Sequence, residues 1–257
     1  MVRGLYTAAT GMVNQMNRMD VITNNLANSA TTAYKKEGAT SQAFREMMAI
    51  KINDSSVNYI DFPIGHMSLG VKIGETYTDY GTGNLQETER PFDLALGGKG
   101  FFAISYSDRN GNESVRYTRD GSFTINSEGV LMTKDGDFVL DESGGLITIP
   151  NGTEVSIDEF GVIEADGMEV ARLQITDFED YNYLKKFGEN MYIAIDGATQ
   201  TAAEGKVYQG YLESSNVNVV SEMVDMIAVT RAYETNQKMI QTIDDTLQKT
   251  VNDIGKV

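Results

Sequence analysis

Polar and apolar positions fall into three regimes along the chain. From Val219 onward, Val219, Met226, Val229, Tyr233, Asn236, Ile240, Ile243, Leu247, Thr250 and Ile254 recur at alternating steps of three and four; Glu222 is the charged break in the series, and Asn236 and Thr250 are polar members. A 3.5-residue period held for about five heptads predicts a long helix with a coiled-coil seam. Asn216 or Asn218 stands where a side chain can accept an orphan N–H at the helix start, and Gly255 stands at its end. A helix over 219–252 would be about 50 Å long. The N-terminus repeats the pattern more briefly through Leu5, Ala9, Met12, Met16, Met19, Ile22 (or Thr23) and Leu26. That run stops in Asn24-Asn25-Leu26-Ala27-Asn28, where the asparagine side chains compete with helical hydrogen bonds.

Between the ends the pattern changes to short strands. Asn110-Gly111, Asp120-Gly121, Glu128-Gly129, Asp135-Gly136, Gly144-Gly145, Asn151-Gly152, Phe160-Gly161 and Asp166-Gly167 punctuate runs such as FFAISY (101–106), SFTI (122–125), VLMT (130–133), FVL (138–140) and LITI (146–149). Asn-Gly and Asp-Gly suit the positive φ of tight hairpin turns, and strands at this spacing predict antiparallel pairing. No helical period interrupts 92–175, which argues against a Rossmann-type layout.

The expected fold is therefore α+β: long N- and C-terminal α-helices pairing as a coiled coil around a mainly antiparallel β middle domain. The expected organisation is a helix and extended segment over 1–50, a connecting segment over 51–91, a β domain over 92–205 and the C-terminal coiled-coil helix over 206–257. Val220, Met223 and Ile227 add a second apolar stripe beside the seam. A lone helix is marginal in water and a long exposed stripe is costly, so both ends read as self-assembly elements, with a closed helical hairpin as the competing reading.

Charge sharpens this division. The net charge of −16 is concentrated in 101–205, which holds 20 of the 37 acidic residues and 7 of the 21 basic ones. Such a balance argues against phosphate backbones and anionic membrane surfaces as partners. With Cys 0, thiol chemistry, disulfides and Cys-ligated metals are excluded. No apolar run approaches the ~20 residues of a membrane helix, and the opening lacks the apolar stretch of a secretory signal. The composition reads as a soluble chain without membrane insertion.

Candidate chemistry resolves into structural elements. Asp135, Asp137 and Asp141 do not follow the order of a calcium loop and read as a polar hairpin. Gly98-Lys99-Gly100 runs into an apparent strand, where a phosphate loop would need a helix N-terminus. Glu179-Asp180 and Asp244-Asp245 are adjacent carboxylates that point apart, and His66 has no Ser or Asp motif beside it. No catalytic constellation, metal site or cofactor site is expected.

Several segments carry a family resemblance: GLYTAATGM, DVITNNLANSATTAYKKEGATSQAF, RPFDLALGGKGFFAI, YTRDGSF and YQGYLESSNVNVVSEMVDMIAVTRAYETNQKMIQTIDDTLQK. Over nearly the whole length the chain resembles the bacterial flagellar axial proteins, and among them the basal-body rod subunits, especially the distal-rod type. ERPFDLAL and NDIGKV lean toward proximal-rod relatives, and Ala33 stands where the family usually has glycine before its aromatic-Lys pair. Gly100, Phe101 and Phe102 match the family's β-domain signature, and Ser215 to Asn218 the start of its C-terminal helix.

The resemblance implies a non-catalytic subunit of a stiff, hollow, helical shaft. Its assembly interface would comprise Leu5, Met12, Met16, Met19, Asn24, Asn25, Leu26, Asn28, Asn216, Asn218, Met226, Val229, Arg231, Tyr233, Ile240, Ile243 and Leu247. Implied partners are further copies of the chain, other rod and hook subunits, and the flagellar type III export apparatus. The implied location is the basal body outside the cytoplasmic membrane, reached without a cleaved signal peptide. From the residues alone, an oligomeric β-domain module binding cell-wall glycan is the alternative.

Overall fold

The computed structural model of the chain describes residues 2–51, 62–108, 111–150, 152–203 and 205–254. These form two compact units, one drawn from Met1–Ala27, Glu37–Asp79 and Asn218–Val257, the other from Asn28–Lys36 and Tyr80–Val217.

The first unit is built on α1 (Val2–Ala27), with β1 (Glu37–Ala43), β2 (Met47–Lys51), β3 (Phe62–Met67) and β4 (Val71–Thr78). Its last element is a 31-residue helix, α2 (Val219–Lys249), which continues into a short π-helical turn. β1 pairs with β4, with a bulge between Ala39 and Ser41, and β2 pairs with β3. The helices run antiparallel: Gly4 meets Ile243, Gly11 meets Asn236 and Asn25 meets Glu222. Close approach is possible at Gly11 because it has no side chain; a Cβ there would sit 3.1 Å from Asn236 Nδ2.

This pairing corrects the coiled-coil expectation. The α+β class stands, with two α-helices and a large antiparallel β middle among the described residues, but the helices do not form a coiled coil. A coiled coil buries apolar knobs along both partners. Here the fully buried residues described in this unit are Ala8, Asn14, Ile22, Asn25, Glu222 and Val229, half of them polar. One side of α1 is taken up by β1 and β4, and glycine, asparagine and glutamate occupy positions that knobs would fill. A heptad pattern identifies which face of α2 is covered; it does not identify what covers it.

The second unit holds β5 (Leu85–Glu87), β6 (Leu94–Gly97), β7 (Phe101–Ser107), β8 (Glu113–Thr118), β9 (Phe123–Ile125), β10 (Leu131–Thr133) and β11 (Phe138–Val139). They are followed by β12 (Val155–Ile157), β13 (Val162–Ala165), β14 (Met168–Arg172), β15 (Ile175–Phe178), β16 (Leu184–Phe187) and β17 (Met191–Ala194). β18 (Gln200–Ala202), β19 (Lys206–Gln209) and β20 (Tyr211–Glu213) complete it. The main sheet runs β16-β17-β8-β7-β11-β10-β9, with β15 joining β7 to β18. A separate meander is formed by β12, β13 and β14. β19 pairs with β6 and β20 with β5. Residues 146–149, read as a strand from sequence, contribute isolated bridges instead, Val130 to Thr148 and Leu140 to Leu146.

β7 explains why its sequence is a continuous apolar run. Side chains alternate across a strand, so a run without polar breaks is buried on both faces. Phe102 and Ile104 enter a core with Leu94, Leu131, Val139 and Ile163. Phe101 and Ala103 enter a second core with Tyr117, Phe178, Leu184 and Tyr192. The Asp166-Gly167 turn joins β13 to β14 with φ values of 52° and 76°, the paired positive angles expected of a tight hairpin. Asn110 and Asn151, the first residues of two other expected turns, lie outside the described residues, as does Gly255.

Candidate functional site

The seam of α2 lies against α1. Met226, Tyr233, Ile240, Ile243 and Leu247 are half-buried and Val229 is buried, whereas Arg231 is exposed. On α1, Leu5, Met12, Met19 and Leu26 are half-buried, and Met16 is exposed. Glu222, the charged break in the apolar series, is buried, and its Oε2 accepts from Asn25 Nδ2 at 3.2 Å. Its carboxylate also lies in the first turn of α2, where the helix dipole favours negative charge.

The asparagine-rich motif at the end of α1 works inside the chain. Asn25 Nδ2 donates to the Glu37 carbonyl at 2.8 Å, and Asn25 Oδ1 accepts from the Glu37 N–H at 2.9 Å. One side chain therefore satisfies both backbone groups of Glu37, the first residue of β1, while also reaching α2. Asn14 makes a comparable link to the Ser41 hydroxyl at 3.0 Å. Asn28 is half-buried and caps a turn through Thr31, while Asn24 is exposed.

The motif before α2 is equally internal. Asn216 Oδ1 accepts from the Lys36 N–H at 2.7 Å, and Asn216 Nδ2 donates to the Gly81 carbonyl at 3.1 Å. Asn218 is the N-cap of α2, its Oδ1 accepting from the Ser221 N–H at 3.1 Å. Of the two expected caps, Asn218 takes that role and Asn216 tethers residues 36 and 81.

A buried charged cluster that sequence reading did not anticipate lies beside this tether. Glu213 Oε1 accepts from Lys35 Nζ at 2.5 Å and from the Gly83 N–H at 2.7 Å, and Glu213 Oε2 accepts from Arg119 Nη1 at 3.3 Å. Lys35 Nζ also donates to the Gly81 carbonyl at 2.9 Å, and Arg119 Nη2 to the Gly98 carbonyl at 2.6 Å. All three charged side chains are almost completely buried. Tyr34 and Lys35 are adjacent in sequence, but nothing in the linear pattern links Lys35 to a carboxylate 178 residues away. Ala33 precedes them with φ 56°, in the left-handed region. The chain thus keeps there the backbone conformation that glycine adopts freely, with an alanine bearing it.

Two apolar faces point away from the helix pair. On α2, Val220, Met223, Val224 and Ile227 are 71, 48, 60 and 54% exposed; on α1, Tyr6, Val13 and Met16 are 63, 53 and 48% exposed. The stripe on α2 lies on the side opposite Glu222, Met226 and Val229, and it includes the second stripe seen in the sequence.

Residues weighed for chemistry have local structural roles. The Asp141 carboxylate accepts from the Gly145 and Ser143 N–H groups and the Ser143 hydroxyl, and these bonds hold its pKa below the usual carboxylate range. Asp137 is pushed up by burial and by Asp135, with Arg116 opposing. Gly98 and Gly100 form the turn into β7 with φ 108° and 130°. His66 is exposed on β3. Among the described residues no group of three or more His, Cys, Asp or Glu is arranged to hold a metal, and no helix is long and apolar enough to cross a membrane.

Comparison with known proteins accounts for both ends and the start of the β middle. Residues 5–35 match the family described as Flagella basal body rod protein, residues 95–165 the Flagellar hook protein FlgE/F/G D1 domain, and residues 208–254 the Flagellar basal body rod FlgEFG protein C-terminal. The chain is 36% identical to flagellar basal-body rod protein FlgG of Caulobacter vibrioides, covering 97% of this chain and 98% of that protein. It is 35% identical to FlgG of Buchnera aphidicola subsp. Schizaphis graminum, at 97% and 98% coverage. With flagellar basal-body rod protein FlgF of Caulobacter vibrioides it shares 32% identity, at 100% coverage of both. Identity at this level along the full length of each relative, with family matches at the two helical ends and in the β middle, makes the chain a member of the flagellar basal-body rod protein family.

Proposed function

We propose that the chain is a non-catalytic structural subunit of the bacterial flagellar rod that polymerises through the exposed apolar faces of its two helices, in the distal part of the rod. The observation that carries this is the stripe Val220, Met223, Val224 and Ile227, left uncovered by α1. Burying a large aliphatic side chain contributes about 1.5–3 kcal/mol. A second copy docked on this stripe and on Tyr6, Val13 and Met16 would recover that energy at every subunit contact. The distal position is supported by the FlgG relatives; the full-length FlgF match keeps a proximal position as the alternative.

Asn25, Asn216 and Asn218, expected at the interface, act in this reading as positioning residues that fix the helices presenting it. The partners proposed are further copies of the chain, other rod and hook subunits and the flagellar type III export apparatus, with export from the cytoplasm without a cleaved signal peptide. The acidic β middle would tolerate like charge best on the outer, solvated side of the shaft.

Val224→Asp combined with Ile227→Asp tests the assembly reading. Sedimentation is expected to show monomers at concentrations where the unmodified chain polymerises, with circular dichroism of the β unit unchanged. Polymerisation at the unmodified concentration would overturn it.

A further inference from the structure

The chain passes between its two units at 27/28, 36/37, 79/80 and 217/218. Residues next to three of these points converge on one place within the β unit. Ala33, Tyr34 and Lys35 have no regular secondary structure, yet they are 1, 1 and 0% exposed, as deeply buried as the sheet core. The Ala33 N–H donates to the Glu213 carbonyl at 2.8 Å, and the Asn216 N–H donates to the Tyr34 carbonyl at 3.3 Å. Lys35, Lys36 and Asn216 all reach Gly81 or its bonded neighbours, and Glu213 ties Gly83 to the same cluster. Just beyond, the Ser214 N–H donates to the Asn84 carbonyl and β20 pairs with β5.

We infer that Lys35, Glu213 and Arg119 form a latch that clamps the crossing segments 31–36, 81–84 and 213–217 to the β unit, so that they stay folded whether or not α1 and α2 are ordered. Glu213 is the hub. It is one carboxylate between two buried cations and a backbone N–H. Breaking a buried pair leaves an uncompensated charge, which costs far more than the pair contributes. Loss of Glu213 would remove the carboxylate that joins Lys35 and Arg119. Loss of Lys35 would leave Glu213 still bonded to Arg119 and Gly83. The cluster therefore has a built-in asymmetry that an ordinary packing contact lacks. The device goes beyond polymerisation and does not depend on it: it sets where, in a single chain, folding of the helical ends stops being coupled to folding of the β unit.

Residue-resolved hydrogen exchange on the dilute full-length chain tests the latch. In the unmodified protein the amides of Ala33, Lys36 and Gly83 are expected to exchange within about tenfold of Leu94 and Ala103 in the core, and at least about tenfold more slowly than amides 231–247 of α2. Glu213→Gln is expected to speed exchange at 33, 36 and 83 by at least about tenfold, Lys35→Met by less, with Ala103 unchanged by either. If Glu213→Gln fails to fold, the comparison in the unmodified chain and in Lys35→Met still decides. Exchange of Ala33 and Lys36 together with the α2 amides, or rates at 33, 36 and 83 unmoved by either substitution, would overturn the latch.

Discussion

The β unit and the helical unit bury different things. The β unit encloses two apolar clusters on opposite faces of β7, with aromatic contacts such as Phe102 to Phe123 and Tyr117 to Phe178 at 5.3 and 4.9 Å between ring centroids. The described part of the helical unit has six buried residues, three of them polar, and leaves the stripe Val220, Met223, Val224 and Ile227 in water. The hydrophobic effect scales with the apolar area removed from water, so the β unit has what it needs to fold alone and the helical unit is left with surface still to cover. Polar groups in the helical unit supply register; they supply little of the driving force, because a satisfied hydrogen bond contributes about 1 kcal/mol net while an unsatisfied one is expensive.

The widest separation between the units comes from a core truncation. Phe102→Ala is expected to destabilise the β unit by about 3–5 kcal/mol, read as a shift of the denaturation midpoint. Val229→Ala in the helical unit should lose about 1–2 kcal/mol, because its surroundings are half-open and can relax. Equal effects would mean that the two units share one cooperative core.

Asn25→Ala sharpens the comparison at the polar anchor. It removes an acceptor from the Glu37 N–H, a donor from the Glu37 carbonyl and a donor from Glu222, so a cost of about 1–3 kcal/mol is expected. Exchange in α1 and α2 should rise with it while the β7 amides stay unchanged. Asn218→Ala removes only the cap of α2 and should cost about 1 kcal/mol, seen as fraying of residues 219–222.

Ala33 offers the smallest effect and a sharp sign. Ala33→Gly relieves the left-handed strain, loses a buried methyl and gains freedom in the unfolded chain; these offset to within about 1 kcal/mol. Ala33→Val adds a branched side chain at the same φ in a buried site and should cost more than about 2 kcal/mol. Comparable losses from both would show that backbone strain is irrelevant there.

Alkaline pH probes a single side chain of the β unit, Tyr181. Burial, together with the bond to Asp177 and its charge, pushes Tyr181 up to about 12. The folded state then holds the phenolic proton more tightly than the unfolded one, so the associated stability is fully present below about pH 10 and is lost as pH rises toward 12. Tyr181→Phe should flatten the fall in denaturation midpoint over that window, and an unchanged slope would assign the fall to other groups.

Legibility from sequence followed range. The run at 101–104 announced a strand, and the three-four spacing of α2 picked out the face that α1 covers. The asparagine motifs were visible as helix boundaries, since capping is a local preference. The covering partner of that face was not visible: Gly11, Asn14 and Asn25 look like interruptions in α1 until β1 and β4 are seen beside it, and the coiled-coil reading failed for that reason. Lys35, Arg119 and Glu213 are brought together by the chain's crossings between units, and no periodicity or spacing encodes such a meeting. Glu222 was visible only as a defect in a pattern, although the structure makes it the partner of Asn25.

The measurement that tests the account most directly is hydrogen exchange on the full-length chain, dilute and then concentrated to polymerisation. The account predicts that amides of α1 and α2 gain protection on concentration, most of all around 220–227, while β7, β8 and the 31–36 segment are protected throughout. Full protection of α2 in the dilute monomer with no change on concentration would contradict it, because the helical unit would then be complete without a second copy.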